Sequence, residues 1–291
     1  YVFNFEGAYR YELMEEYYPE QFEKLKEYVA KGNWYPCGAG WENGDVNVPS
    51  PEALFRNFLL GNEYFNEKFG IRSRDVFLPD CFGFGYALPS IARHSNLYGF
   101  TTQKLSWGST YGQPFDIGKW YGPDGKYIIA SIKMHNYVAV LNNLRKNKAI
   151  KEKLAESETH GLNATEIFHG IGDRGGGPLP ISIRNLRKNM KKNDKSDIIV
   201  HSSPSDKVFK QIIDGKASNI SAPALKRMYE QNPLITLDDK AAKDTKRAFD
   251  FIKKAFKKTD HPHLKRYAVI DLAVIANSLL KFINTPPFPT V

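Results

Sequence analysis

The sequence predicts an α/β fold with parallel strands at its centre, open or closed into a barrel, followed by a short all-helical region. Over the first two-thirds, short apolar strands alternate with amphipathic helices, the order expected of strands joined by helical crossovers. Three of the segments that follow strands are rich in glycine and present a carboxylate before the next helix begins. From about residue 222 helical patterns follow one another with no strand between them, which marks a change of architecture.

Taken in order, residues 1–5 read as a strand. A helix over about 17–31 sets Leu25, Tyr28 and Val29 on one face and stops at Gly32. Residues 33–37 form the next strand and 38–47 a loop. Ser50 is a good N-cap and Pro51 fits the first helical position, opening a helix whose buried stripe is Phe55, Phe58, Leu59 and Phe65. Strands follow at 75–78, 99–103, 119–121 and 127–132, with a short helix at 88–95 and the turn Gly122-Pro123-Asp124-Gly125 between the last two strands. Then come a helix of about 143–158, a strand at 164–169, a helix at 181–192, a strand at 197–201 and a helix at 206–213. The division is an α/β domain over 1–215 and a small helical bundle over 216–291.

Composition narrows the function classes. A hydrophobic fraction of 42% builds a core, and 25% charged residues is ordinary for a globular protein. The 19 Phe and 16 Tyr are an excess that suits a sugar-binding cleft, although rings more often fill cores. A net charge of +9 raises the question of an anionic partner. The basic runs Arg184–Lys192 and Phe251–Lys258 interleave apolar residues at helical spacing, so they read as solvated helix faces, not as a nucleic-acid surface. No run approaches the ~20 apolar residues of a membrane span, and two cysteines, Cys37 and Cys81, make neither a disulfide framework nor a CxxC site. The opening Tyr-Val-Phe-Asn-Phe lacks the features of a signal peptide, and a chain that opens directly on a strand reads as a fragment.

The chemistry is expected in the three carboxylate loops: Gly40-Trp41-Glu42-Asn43-Gly44-Asp45, Pro79-Asp80-Cys81-Phe82-Gly83-Phe84-Gly85, and Gly170-Ile171-Gly172-Asp173-Arg174-Gly175. In a parallel layout all three lie at the carboxyl ends of strands, the edge where such folds bind ligands. One such loop would be read as a strand end with a helix cap, but three flanked by aromatics favour a site. Asp80 is the foremost candidate, because it closes the apolar Val76-Phe77-Leu78-Pro79 and precedes glycines that let a ligand approach. Gly170-x-Gly172-x-x-Gly175 formally matches a dinucleotide fingerprint, but Asp173 would repel a pyrophosphate and Pro178 and Pro180 lack amide donors. The histidines form no HExxH or clustered Cys/His motif.

Val76-Phe-Leu-Pro-Asp80-Cys-Phe-Gly-Phe-Gly-Tyr86 resembles the strand-to-loop motif around the nucleophile in family 38 glycoside hydrolases, the class II α-mannosidases. Trp34–Gly38 and Trp41–Arg56 are similar to the segments before that motif in bacterial members, and Gly99–Trp107 and Gly170–Pro178 to segments after it. The resemblance covers residues 1–215, with the helical end similar to the start of the family's middle domain. It implies a (β/α)7-type barrel, here incomplete, and a retaining hydrolase of terminal α-mannosides in mannose-containing glycans. It also implies a Zn2+ ion bound to substrate hydroxyls, with Asp80 both nucleophile and zinc ligand. Asp173 is the candidate acid, and Trp41, Asp45 and Lys104 are candidate sugar contacts. The His-x-Asp pair and later His that complete the family's zinc site are not among these residues, so the polypeptide is expected to hold zinc poorly and to turn over little by itself. Alternatives are a non-catalytic carbohydrate-binding relative, a metal-dependent polysaccharide deacetylase-like enzyme, recognised by release of acetate, and a nucleic-acid binder, recognised by steep salt dependence.

Overall fold

Parallel pairing organises the residues that the computed structural model describes, namely 1–107, 115–134, 140–159, 161–170 and 177–213. Every described residue belongs to one compact unit within Tyr1–Lys226. The helical region expected over 216–291 lies outside the described residues.

Strand β1 (Phe3–Glu6) pairs in parallel with β2 (Trp34–Cys37), Glu6 opposite Cys37. A second sheet has the order β3-β4-β6-β5, from β3 (Asp75–Phe77), β4 (Gly99–Thr101), β5 (Ile117–Tyr121) and β6 (Tyr127–Ser131). Here β4 lies parallel to both β3 and β6, whereas β5 and β6 form an antiparallel hairpin with Tyr121 opposite Tyr127. The turn at residues 122–125 is too short for a crossover, so the sheet is mixed, not wholly parallel. At Gly38 the two sheets meet. Its N–H donates to Ser73 Oγ (3.1 Å) and Asp75 Oδ1 (3.2 Å), and its φ of 78° suits glycine. A Cβ there would lie 2.9 Å from Phe77 Cβ and 3.4 Å from Glu6 Cβ, so the carboxyl ends of β1, β2 and β3 converge on this residue.

Helix α3 (Pro51–Phe69) starts where the sequence places it. Ser50 Oγ accepts from the Ala53 N–H at 3.2 Å, and Gly70 closes the helix in the left-handed region. Its buried stripe is Leu54, Phe58, Gly61, Tyr64 and Phe65, so Phe58 and Phe65 face inward as expected while Phe55 and Leu59 are exposed. The rotation has a local cause. A Cβ on Gly61 would run into the Ala39–Trp41 backbone, so the helix turns its narrowest point toward that loop.

An additional helix, α1 (Ala8–Tyr17), precedes α2 (Pro19–Ala30), which buries Leu25 and Val29 but leaves Tyr28 exposed. Between α1, α2, α3 and the first sheet sits an aromatic core. Tyr11, Phe22 and Phe65 are fully buried, with Phe5, Trp34 and Phe69 packed against them. Edge-to-face pairs such as Tyr11–Phe65 (5.3 Å between centroids) add about 0.5–1.5 kcal/mol each beyond their buried area. The Tyr11 hydroxyl is satisfied inside this core, donating to Phe5 O (2.7 Å) and accepting from Trp34 Nε1 (2.9 Å).

Helices α4 (Leu88–His94), α5 (Lys148–Thr159), α6 (Pro180–Met190) and α7 (Lys207–Ile213) follow the expected order. The strands expected at 164–169 and 197–201 do not join a ladder. Side chains satisfy their backbones instead. Lys153 Nζ donates to Glu166 O (2.8 Å), and Ser157 Oγ exchanges hydrogen bonds with both backbone groups of Ala164. Asn193 bonds both the N–H and the C=O of Val200, while Arg145 Nε reaches Ile198 O (3.0 Å). Part of each run does face inward: Val200 packs with Leu141, Leu144, Ile150 and Leu186, and Ile167 lies against them, whereas Ile199 is exposed. Burial without a ladder is what made them resemble strands.

Candidate active site

Two of the three carboxylate loops share one rim. The loop after β2 turns at Gly38, and the loop after β3 leaves the sheet at Leu78, whose N–H donates to Thr101 O at 3.0 Å. The loops touch. Cys81 Sγ donates to Gly44 O (3.1 Å), and Gly83, at φ 115°, leaves room that a Cβ would deny to the Asn47 side chain. Phe84 anchors the second loop by its edge-to-face contact with Phe100 (4.9 Å), and both rings are buried.

Asp80 stands at the open side of this arrangement. Its side chain is 63% exposed, and Oδ1 lies 2.6 Å from Nζ of Lys104, whose own side chain is only 4% exposed. Lys104 opens the short 3-10 turn after β4, and its ammonium also lies 4.9 Å from the centre of the exposed Phe82 ring. The lysine stem is thus buried along the rim while its charge meets the carboxylate at the surface. A fixed cation beside an exposed carboxylate orients it, and the exposure lets an incoming group approach.

Asp45 lies near the same spot, with Oδ1 accepting from the Asn47 N–H at 2.6 Å. The Cys81 thiol is pushed up to about 11, first by burial and then by the carboxylates of Asp45, Asp80 and Glu6, so it stays protonated and serves as a donor. Trp41 sits on the α1–α3 side of the rim, half-buried, with its ring 6.2 Å from Tyr9 and 5.9 Å from Tyr64. Asp173 lies outside the described residues.

Glu6 was not singled out from the sequence. It ends β1, is followed by Gly7, and is raised from its ordinary value by burial, against hydrogen bonds from the backbone and Asn43. Phe5-Glu6-Gly7 is a short version of the strand–carboxylate–glycine pattern that marks the other loops, and that was the signal available.

The zinc implied by the resemblance needs about three protein ligands in a catalytic site. Asp80 supplies one carboxylate, already engaged by Lys104, and among the described residues no group of three His, Cys, Asp or Glu side chains is placed to hold a metal ion. These residues do not by themselves fit zinc.

The model of the glycosyl hydrolases family 38 N-terminal domain matches residues 1–219. The chain belongs to that family. Among its relatives, Alpha-mannosidase G of Dictyostelium discoideum is 36% identical over 183 residues, covering 62% of this chain and 16% of its own length. The Alpha-mannosidase of Saccharomyces cerevisiae is 30% identical over 208 residues, 69% of this chain and 18% of that one. This family 38 chain thus spans less than a fifth of the length of these relatives. The fold is similar to that of an alpha-mannosidase from Enterococcus faecalis V583, with a TM-score of 0.55 at 21% identity over 73% of this chain and 24% of that one.

Proposed function

We propose that this chain is part of the catalytic domain of a retaining α-mannosidase that hydrolyses terminal α-mannosides of glycans. The observation that carries the reading is Asp80, an exposed carboxylate at the carboxyl end of β3 held by the buried Lys104 at 2.6 Å. Family membership and the names of the relatives support the same activity.

In this reading a carboxylate oxygen of Asp80 attacks the anomeric carbon as the bond to the leaving oxygen breaks, and a second carboxylic acid protonates that oxygen. Water then cleaves the glycosyl ester with the second group acting as base, so configuration is retained. Asp173 is proposed for that second group. Lys104 keeps the nucleophilic oxygen aimed, and Asp45 and Trp41 contact the sugar. Were a zinc ion bound in the complete polypeptide, Asp80 would offer it one carboxylate oxygen, and the remaining ligands would have to come from outside the described residues. The β-strand closure of a (β/α)7-type barrel belongs to the same proposal, as does a 1–215 domain followed by a helical one.

The test is hydrolysis of p-nitrophenyl α-mannoside by the complete polypeptide carrying this segment, with Asp80→Asn beside wild type. A loss of at least about 1000-fold in kcat/KM is expected for removal of a nucleophile; equal activity would remove Asp80 from the role.

A further inference from the structure

We infer that Asn57, on α3, is a positioning residue for sugar binding, because its side chain fixes the loop that carries Trp41 and Asp45 at the rim it shares with the Asp80 loop. The inference rests on the proposed role of that rim in binding a mannoside. Asn57 uses its polar groups on one short stretch of backbone. Oδ1 accepts from the Glu42 N–H (3.0 Å), Nδ2 donates to Glu42 O (3.1 Å), and the Asn57 carbonyl accepts from the Trp41 N–H (2.8 Å). A single primary amide therefore meets both backbone groups of Glu42, as a neighbouring strand would, and holds the peptide in register with the helix.

Three features make this attachment specific. Gly61, one turn further along α3, has no Cβ, and one there would overlap the Ala39–Trp41 backbone, so the loop lies flush on the helix. Gly40 is equally close, since a Cβ on it would sit 3.1 Å from Asn57 Nδ2. The loop is then tied at two further points. Arg10 pairs with Glu42 Oε1 and Asn43 N–H donates to the same oxygen at 2.9 Å. At the far end Gly44 O accepts the Cys81 thiol beside Asp80. Asn57 thus stands at the root of a span whose tip is hydrogen-bonded to the nucleophile loop. Displacing the root moves Trp41 and Asp45 relative to Asp80 without touching either carboxylate. In kinetic terms that weakens ground-state binding of the sugar more than it weakens the chemical step.

The decisive variant is Asn57→Asp in the complete polypeptide. The replacement is isosteric, retains the acceptor for Glu42 N–H, and sets a carboxylate oxygen against Glu42 O in place of the donor. When protonated, the aspartic acid regains an O–H donor. The expected result is a KM for p-nitrophenyl α-mannoside raised about 10-fold at pH 7 with kcat changed less than about 3-fold. The KM ratio to wild type should shrink as the pH is lowered through the carboxyl range. Asn57→Ala should raise KM similarly with no relief at low pH. Hydrogen exchange provides a readout independent of turnover, with the Glu42 amide, which loses its acceptor in Asn57→Ala, exchanging about 10-fold faster in that variant at pH 7. Unchanged exchange at residues 41–43 would overturn the anchoring, and faster exchange with wild-type KM would overturn the link to sugar binding. Failure of the Asp80 test with a KM effect at Asn57 would instead locate the error in the proposed nucleophile.

Discussion

Replacing Asp75 by asparagine should remove a pH dependence of stability that the fold creates in its own interior. Asp75 opens β3 and is fully buried. Its Oδ1 accepts from the Ser73 hydroxyl and from the Gly38 N–H, while Oδ2 has no donor among the described residues. Asp206, 1% exposed, is arranged likewise. Its Oδ2 accepts from Tyr35 OH (2.7 Å), Arg74 N–H (2.9 Å) and Lys210 Nζ (2.7 Å), and Oδ1 has no donor among the described residues. Burial, and then the Asp206 carboxylate, push Asp75 from its ordinary 3.8 up to about 6. The folded state therefore binds the proton more tightly than the unfolded chain. The stability associated with that proton is fully present below pH 3.8 and is lost as the pH rises through 6. At about 1.4 kcal/mol per pH unit of difference, the loss is about 3 kcal/mol. An amide in its place cannot ionise, so urea unfolding from pH 4 to 7.5 should show Asp75→Asn gaining about 2–3 kcal/mol on wild type as the pH rises. A difference between the two proteins that is constant across that range would refute the reasoning.

Two further predictions concern the packing that holds the rim in place. Gly99→Ala would drive a Cβ into the Phe209 ring beneath β4, and overpacking of this kind costs about 1–3 kcal/mol. Thermal unfolding of Gly99→Ala, Phe209→Leu and the double variant should show the second change recovering part of the loss, and strict additivity would argue against the contact. Lys153→Met would strand Asp116. The pair is buried at 3.1 Å with side chains 8% and 1% exposed, and breaking such a pair costs about 3–5 kcal/mol. Urea unfolding should show that loss, and the addition of Asp116→Asn should return part of it.

The sequence made legible those features whose cause is local. Ser50 and Pro51 start a helix because a hydroxyl acceptor and a fixed φ are needed there, and Gly122–Gly125 turn because the chain must reverse within four residues. The apolar run ending in Asp80 became a strand ending in an exposed carboxylate for the same reason, and the loop bearing Asp45 came to the same rim. What the sequence did not disclose depends on partners far along the chain. The runs 164–169 and 197–201 carry strand-like residues, but Lys153, Ser157, Asn193 and Arg145 satisfy their backbone groups. Helix α1 buries only Ala8 and Tyr11, too few positions to show a helical stripe. Asn57 looks like any polar helix residue until the Glu42 backbone is seen against it.

The central claim is that Asp80 becomes covalently bound to the sugar. The direct measurement is to incubate the complete polypeptide with an activated 2-deoxy-2-fluoro-mannosyl fluoride and fragment the tryptic peptide over residues 75–93 by mass spectrometry. The account predicts one fluoromannosyl adduct on Asp80, absent in Asp80→Asn and lost slowly to water with retained configuration. An adduct on another carboxylate, or turnover to an inverted product with no adduct, would contradict it.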